Sequence, residues 1–175
     1  MANSPDPHTQ IDRDTLLSWL IASTDQVAQA SGRRPARELL QWITRGRLGR
    51  TAGWPQPPRL DSPWQDTISG ERPGWRERAA NDPSEPAGDF AFAVDYQICH
   101  HCTVGWVEQP YTREDLQRGG LATAGLAALR RDHPGLAWHT LGGHISGSQP
   151  FWSTAGSGVA GCYEQRDLCR HLNAR

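Results

Sequence analysis

Two groups of residues in this chain have types and spacings that could do chemistry. Cys99-His100-His101-Cys102 places two thiols two residues apart, and Cys169-x-His171 offers a third thiol and an imidazole near the C-terminus. In an intracellular setting such a pair serves more often as metal ligands or a redox couple than as a structural disulfide. A redox pair would be expected at a helix start, which lowers a thiol pKa; this one falls in a tight turn between strands, so zinc is the leading reading. A tetrahedral site needs two further ligands. Cys169 and His171 supply them from one side of an extended segment, because strand side chains repeat every two residues. Cys162 in place of Cys169, and coordination by His100 or His101, are the alternatives. A closed four-ligand site would be structural, since no position remains for an activated water.

The second group is Gln117-Arg118-Gly119-Gly120-Leu121-Ala122, between a strand-like run (Thr103 to Val107) and an Ala/Leu-rich helical pattern (Thr123 to Arg131). Gly costs about 1 kcal/mol relative to Ala inside a helix, so two at a helix start call for a sharp turn or a ligand approaching bare backbone. The first turn of a helix presents unpaired N–H groups and a positive dipole end, a ready cradle for phosphate.

Gln117-x-x-Gly120-x-Ala122 resembles the Q/R-x-x-G-x-G/A signature of the GNAT superfamily of acyl-CoA-dependent N-acyltransferases. The flanks resemble that family too. Val107 to Pro110 is similar to the end of its fourth strand, Leu136 to Leu141 to its fifth, and Phe151-Trp152-Ser153-Thr154-Ala155-Gly156 to its F-Y-x-x-x-G helix. The resemblance covers residues 103 to 156. It implies a central mixed sheet flanked by helices, acetyl-CoA as co-substrate and a primary amine as acceptor. Trp106, Val107, Gln117, Arg118, Gly119, Gly120, Leu121 and Ala122 would hold the cofactor, and Glu108 would be the general base. His139 and His144 are further candidates for a base, because imidazole titrates near working pH. Two departures stand out. The segment from Pro110 to Gln117 is longer than usual, and Trp152 occupies the place of the tyrosine that protonates the leaving thiolate. An indole has no such proton to give. The competing reading is therefore a zinc-stabilised interaction or regulatory module that keeps the fold without catalysis, with Arg33, Arg34, Arg37, Arg45, Arg47 and Arg50 as a contact patch.

With 175 residues and a formal charge of -1, the chain has the length of one domain and no global attraction for nucleic acid or an anionic membrane. No apolar stretch approaches a membrane span, and Met1 to Gln10 reads as a polar arm; the expected location is cytoplasmic. All 18 basic residues are arginine, which excludes Schiff-base chemistry and a Walker-type phosphate loop.

The elements that must position these groups are legible in part. Asp12 or Asp14 caps a helix with Leu16, Leu17, Leu20, Ile21, Val27 and Ala28 on one face, ended by Ser31-Gly32. A second helix starts near Pro35, with Leu39, Leu40, Trp42 and Ile43 apolar, and stops at Gly46. Residues 47 to 88 read as a Pro/Trp-rich loop region pinned by Trp54, Trp64 and Trp75. The sheet is complete only if short strands lie there, and otherwise its N-terminal half is reduced. Phe90, Phe92 and Val94 alternate into a hairpin that returns through Thr103 to Val107. Thr112 to Asp115 resembles a capping box. Leu121, Gly125, Leu126 and Leu129 form one side of a helix closed by His133-Pro134-Gly135. Strand, helix and strand from 103 to 141 make a βαβ unit, so the fold class is α/β or mixed α+β, in a single domain from residue 11 to 175.

Overall fold

The computed structural model describes residues 11–29, 61–84 and 89–173. They build one six-stranded mixed sheet flanked by helices. Its strands, β1 (Val27–Gln29), β2 (Trp64–Ile68), β3 (Arg76–Asn81), β4 (Phe90–Cys99), β5 (Val104–Thr112) and β6 (Ala137–His139), lie in sequence order. β2 to β5 are antiparallel, whereas β1 joins β2 and β6 joins β5 in parallel. Helix α1 (Arg13–Ala22) and helix α2 (Leu121–Asp132) pack together, and α3 (Gln149–Ala155) and the single turn α4 (Arg170–Asn173) follow β6. The second expected helix, Trp54 and the arginines from Arg33 to Arg50 lie outside the described residues.

α1 begins as expected, with the Asp12 carboxylate accepting from the Thr15 N–H at 3.3 Å. It stops at Ala22, before the Val27 and Ala28 that its pattern includes. The Ser23 hydroxyl donates to the Trp19 carbonyl at 2.6 Å, and Ser23-Thr24-Asp25 are poor helix formers that prefer such local bonds. Val27 and Ala28 therefore belong to β1, with Val27 opposite Trp64, and Ile21 is 37% exposed although its spacing placed it on the apolar face.

The stretch expected to be a loop contains β2 and β3. Their binary pattern is unreadable because they bury polar side chains on both faces. Asp66 and Arg78, each 1% exposed, pair at 2.9 Å, and Asp66 also takes Arg76 at 2.6 Å and the Tyr96 hydroxyl at 2.6 Å. Arg78 reaches on to Asp132 in the last turn of α2, at 2.9 Å. Trp64 and Trp75 are buried, in keeping with anchoring by their rings. The opposite sheet face carries a row of register partners, Thr67, Glu77, Asp95 and Glu108, one per strand from β2 to β5.

The hairpin of β4 and β5 and the βαβ unit follow the sequence pattern. β5 runs on to Thr112, past a register shift at which Gln109 takes φ +48° and Pro110, lacking an N–H, needs no ladder partner. Because Thr112 is still strand, no capping box forms; Asp115 instead pairs with Arg113 at 2.7 Å beside a short 3-10 turn from Glu114 to Leu116. α2 ends at Asp132, with Gly135 at φ +79°.

Gly125 faces the Phe92 ring so closely that a Cβ would lie 2.6 Å from it. Gly125→Ala gains about 1 kcal/mol of helix propensity. Overpacking against a fully buried ring costs about 1–3 kcal/mol, so denaturant unfolding should show net destabilisation; a more stable variant would mean that Phe92 is free to move.

Burial, reinforced by Asp95 and Glu71, pushes the Glu77 carboxyl up to about 7 from 4.5. The folded protein thus holds this proton more tightly than the unfolded chain does. The stabilisation is complete below the unfolded value and is lost as pH rises towards about 7. Glu77→Gln should match wild type in melting temperature at pH ~5 and exceed it at pH ~8; equal differences at both values would remove the proposed titration.

Candidate functional site

Cys99 closes β4 and Cys102 sits in the turn before β5, where Thr103 adopts φ +53°. The tail returns to this turn along β6. Thr140 bridges Gln165, the Arg166 N–H donates to the Thr140 carbonyl at 2.8 Å, and the Trp106 indole donates to the Arg166 carbonyl at 2.9 Å. Leu168 and Leu172 then pack beside Trp75, Cys99, Val104 and Trp106, which delivers Cys169 and His171 to the hairpin.

Cys99, Cys102, Cys169 and His171 come together with all four ligand atoms within 4.8 Å of one another. Tetrahedral thiolates about 2.3 Å from zinc are ~3.8 Å apart, so a small contraction completes the site. Cys102 Sγ already lies 3.3 Å from His171 Nδ1. The route to this convergence differs from the expected one. Cys169 directly precedes α4 and His171 lies in its first turn, so a helical turn, rather than strand alternation, brings the two ligands together. Cys162 is exposed, bonded through its thiol to the Val159 carbonyl, and stands outside the group. His100 is exposed and His101 lays its ring 4.1 Å from that of His171; neither joins the four.

Without a metal the electrostatics favour ionisation of Cys99 and a neutral His171, and oppose ionisation of Cys102. Burial raises the Cys99 thiol, but the Cys102 N–H and the thiols of Cys169 and Cys102 outweigh it and hold Cys99 below its ordinary value. Burial and protons shared with Cys169 and Cys99 push Cys102 up to about 11. Burial, with His101 and Arg170 nearby, lowers His171. Metal entry would release the shared protons, so affinity should rise with pH.

At the far end of β5, the Gln117–Ala122 turn leads into α2. Gly120 is the N-cap at φ +83°, and a Cβ built there would meet nothing nearer than Ile21 Cδ1 at 4.0 Å. Gly119 serves packing: a Cβ would lie 2.5 Å from Leu17 Cδ1. Arg118 is exposed at φ +62°, and Gln117 donates to the Thr112 carbonyl. Leu121 is buried and Ala122 follows it in the first turn. Arg13, absent from the sequence reading, braces the turn by donating to the carbonyls of Asp115 and Gln117.

β5 and β6 pair only at Val104, Gly105 and Trp106, so from Val107 onwards β5 leaves its neighbour. Glu108 bridges the gap. Its Oε1 accepts from the Leu141 and Gly142 N–H groups at 2.6 and 3.2 Å, and its Oε2 faces Arg72 at 3.5 Å. Glu108 is thus a brace between diverging strands as well as the candidate base. Arg72 also pairs with Asp95 at 3.5 Å and lies over the Trp75 ring. Its one faint sign in the sequence is the Ser69-x-x-Arg72 turn, in which the Arg72 N–H donates to the Ser69 hydroxyl.

Trp152 is buried, stacked on His144 at 4.7 Å. His139 faces the Glu164 carbonyl and Arg166, and burial lowers its pKa. A groove of about 320 Å³ lined by Arg76, Tyr96, Gln97, His100 and His133 lies at the other end of α2 from Gly120. Among the described residues no helix is long and apolar enough to cross a membrane. Compared with protein-family models, curated proteins and solved structures, the chain matches nothing.

Purified protein should carry about one equivalent of zinc, and chelation should lower its melting temperature, because metal binding contributes folding free energy. Cys99→Ser and Cys169→Ser should each reproduce the loss and Cys162→Ser should not. Metal-free preparations whose melting ignores both chelator and added zinc would rule the centre out.

Proposed function

We propose that this protein is a GNAT-like, acyl-CoA-dependent N-acyltransferase acting on a primary amine, with a structural zinc at Cys99, Cys102, Cys169 and His171. The observation that carries the reading is the Gly120 turn. A left-handed glycine with open space before it caps a 12-residue helix beside a strand that has just parted from its parallel neighbour. Bare backbone N–H groups at Leu121 and Ala122, on the positive end of the α2 dipole, suit a pyrophosphate. Exposed Arg118 adds charge at the rim, and the unpaired edge of β5 from Val107 offers peptide groups to an extended pantetheine. Trp106, still paired with His139, would support that edge from within.

Bound acetyl-CoA would supply an activated thioester to the attacking amine. Glu108, at the parting of the strands, is the carboxylate placed to take the amine proton, directly or through water. Its two backbone bonds hold it in position. Trp152 offers no proton to the departing thiolate, so solvent would protonate it. That same residue, buried in a stack, favours the second reading, a zinc-stabilised binding or regulatory module without turnover.

Calorimetry with acetyl-CoA tests the cofactor, and amine-dependent release of free thiol separates the two readings. Gly120→Val should weaken acetyl-CoA binding by at least about tenfold, or roughly 1.4 kcal/mol, with an unchanged circular dichroism spectrum. Failure of wild type to bind acetyl-CoA or a longer acyl-CoA at millimolar concentration would sink the proposal. Binding without thiol release would leave the module reading.

A further inference from the structure

The three thiols of the metal site are not equally placed. Cys99 is 5% exposed, packed with Trp75, Val104 and Trp106, and its sulfur accepts from the N–H groups of His101 and Cys102 in the turn. Cys102 and Cys169 are only half-buried. Beside them the tail ends in the single turn Arg170–Asn173. An oxidant arriving from solvent therefore meets these two sulfurs before that of Cys99. They come from distant parts of the chain, yet lie within 4.8 Å of each other. A disulfide holds its sulfurs about 2.05 Å apart. Side-chain rotation at a half-buried tail can close that gap.

We infer that Cys102 and Cys169 are an oxidation site, at which hydrogen peroxide exchanges the zinc for a Cys102–Cys169 disulfide while the tail stays on the hairpin. This rests on the structural zinc proposed above and not on acyl transfer. One thiolate of the pair attacks a peroxide oxygen; the O–O bond breaks, hydroxide leaves and the sulfur becomes a sulfenic acid. The second thiolate attacks that sulfur, forms the S–S bond and displaces a second hydroxide. The two sulfurs together give up two electrons to the peroxide, and solvent protonates both hydroxides to water. Zinc is left with Cys99 and His171 alone, which do not make the closed tetrahedral site of a structural ion. Cys99 then takes a proton from solvent.

Which pair closes decides what happens to the fold. A Cys99–Cys102 disulfide lies within one turn and would let the tail go. A Cys102–Cys169 disulfide closes the same long loop as the metal does, and so constrains the unfolded chain in its place. Leu168 and Leu172 would stay beside Trp106, and Leu172 faces the groove of Arg76, Tyr96 and His133 as well. The tail thus has one tether for reducing conditions and another for oxidising ones.

The experiment treats the full-length zinc protein with millimolar hydrogen peroxide and reads zinc release with a chromogenic chelator, alongside a non-reducing peptide map. Each chain should lose one zinc and two hydrogens, with Cys102 joined to Cys169. Melting of the oxidised protein should no longer respond to chelator, and a thiol reductant with added zinc should restore the response. Cys162→Ser should give the same products, because that sulfur stands outside the group. Zinc retained through treatment, over-oxidation of Cys102 without a disulfide, or a map dominated by Cys99–Cys102 would overturn the inference and leave the metal centre standing. Protein that carries no zinc beforehand and takes up none when it is added would overturn both.

Discussion

Asp66 is the fixed point of the sheet. One carboxylate, almost wholly buried, takes two guanidinium groups and a phenol from β3 and β4, and Arg78 extends the network to the last turn of α2. Burying these charges is costly, and each is tolerated because its lone pairs or protons are used. Removing one partner from such a network costs about 3–5 kcal/mol, since the others remain buried and uncompensated. The network therefore sets how α2 lies on the sheet. The direction of α2 in turn fixes where its N-terminus, and the Gly120 turn, points. Leu121, Leu126 and Leu129 supply the apolar area, but apolar contact alone would allow the helix to slide.

The opposite face has a different problem. It carries Val104, Trp106, Glu108 and their neighbours, yet among the described residues its cover over β5 is a tail with one helical turn. A segment so short cannot bury enough apolar surface to offset the entropy of ordering it. Trp106 holds it at Arg166 and β6 holds it at Thr140, but both contacts lie upstream of Cys169. A metal at the hairpin is what would fix the remainder, closing a loop of more than sixty residues between Cys102 and Cys169. The centre then stabilises the floor beneath Trp106 and so the strand along which a cofactor would lie, although it sits at the opposite end of β5 from the Gly120 turn.

What could be read from the sequence follows from how each segment meets water. Phe90 to Val107 alternates, Leu121 to Leu129 repeats at helical spacing, and both were legible because one face of each is apolar. The thiols were legible by type, since Cys99, Cys102, Cys169 and His171 are residues that metals select. β2 and β3 were hidden because Gln65, Asp66, Thr67, Arg78 and Asn81 are buried polar side chains, and a hydropathy pattern scores them as exposed. The end of α1 was missed because Val27 and Ala28 continue its period, whereas Ser23 ends it through a local hydroxyl bond that periodicity does not register. The brace from Glu108 to Leu141 and Gly142 depends on where two strands part, and no spacing within either strand encodes it.

The row on the second face is the furthest from the sequence, because it exists only through register. Thr67, Glu77, Asp95 and Glu108 come from four strands and share no motif, and a shift of one residue in any pairing would turn that member to the other face. The Asp66 network resists such a shift, since Asp66, Arg78 and Tyr96 occupy the alternate positions of the same strands and could not slip without breaking buried ion pairs. Charge on one face thus fixes the alignment of charge on the other. Glu77, whose carboxyl burial pushes up to about 7, stays half-buried in this row because the strands that hold it are locked from behind.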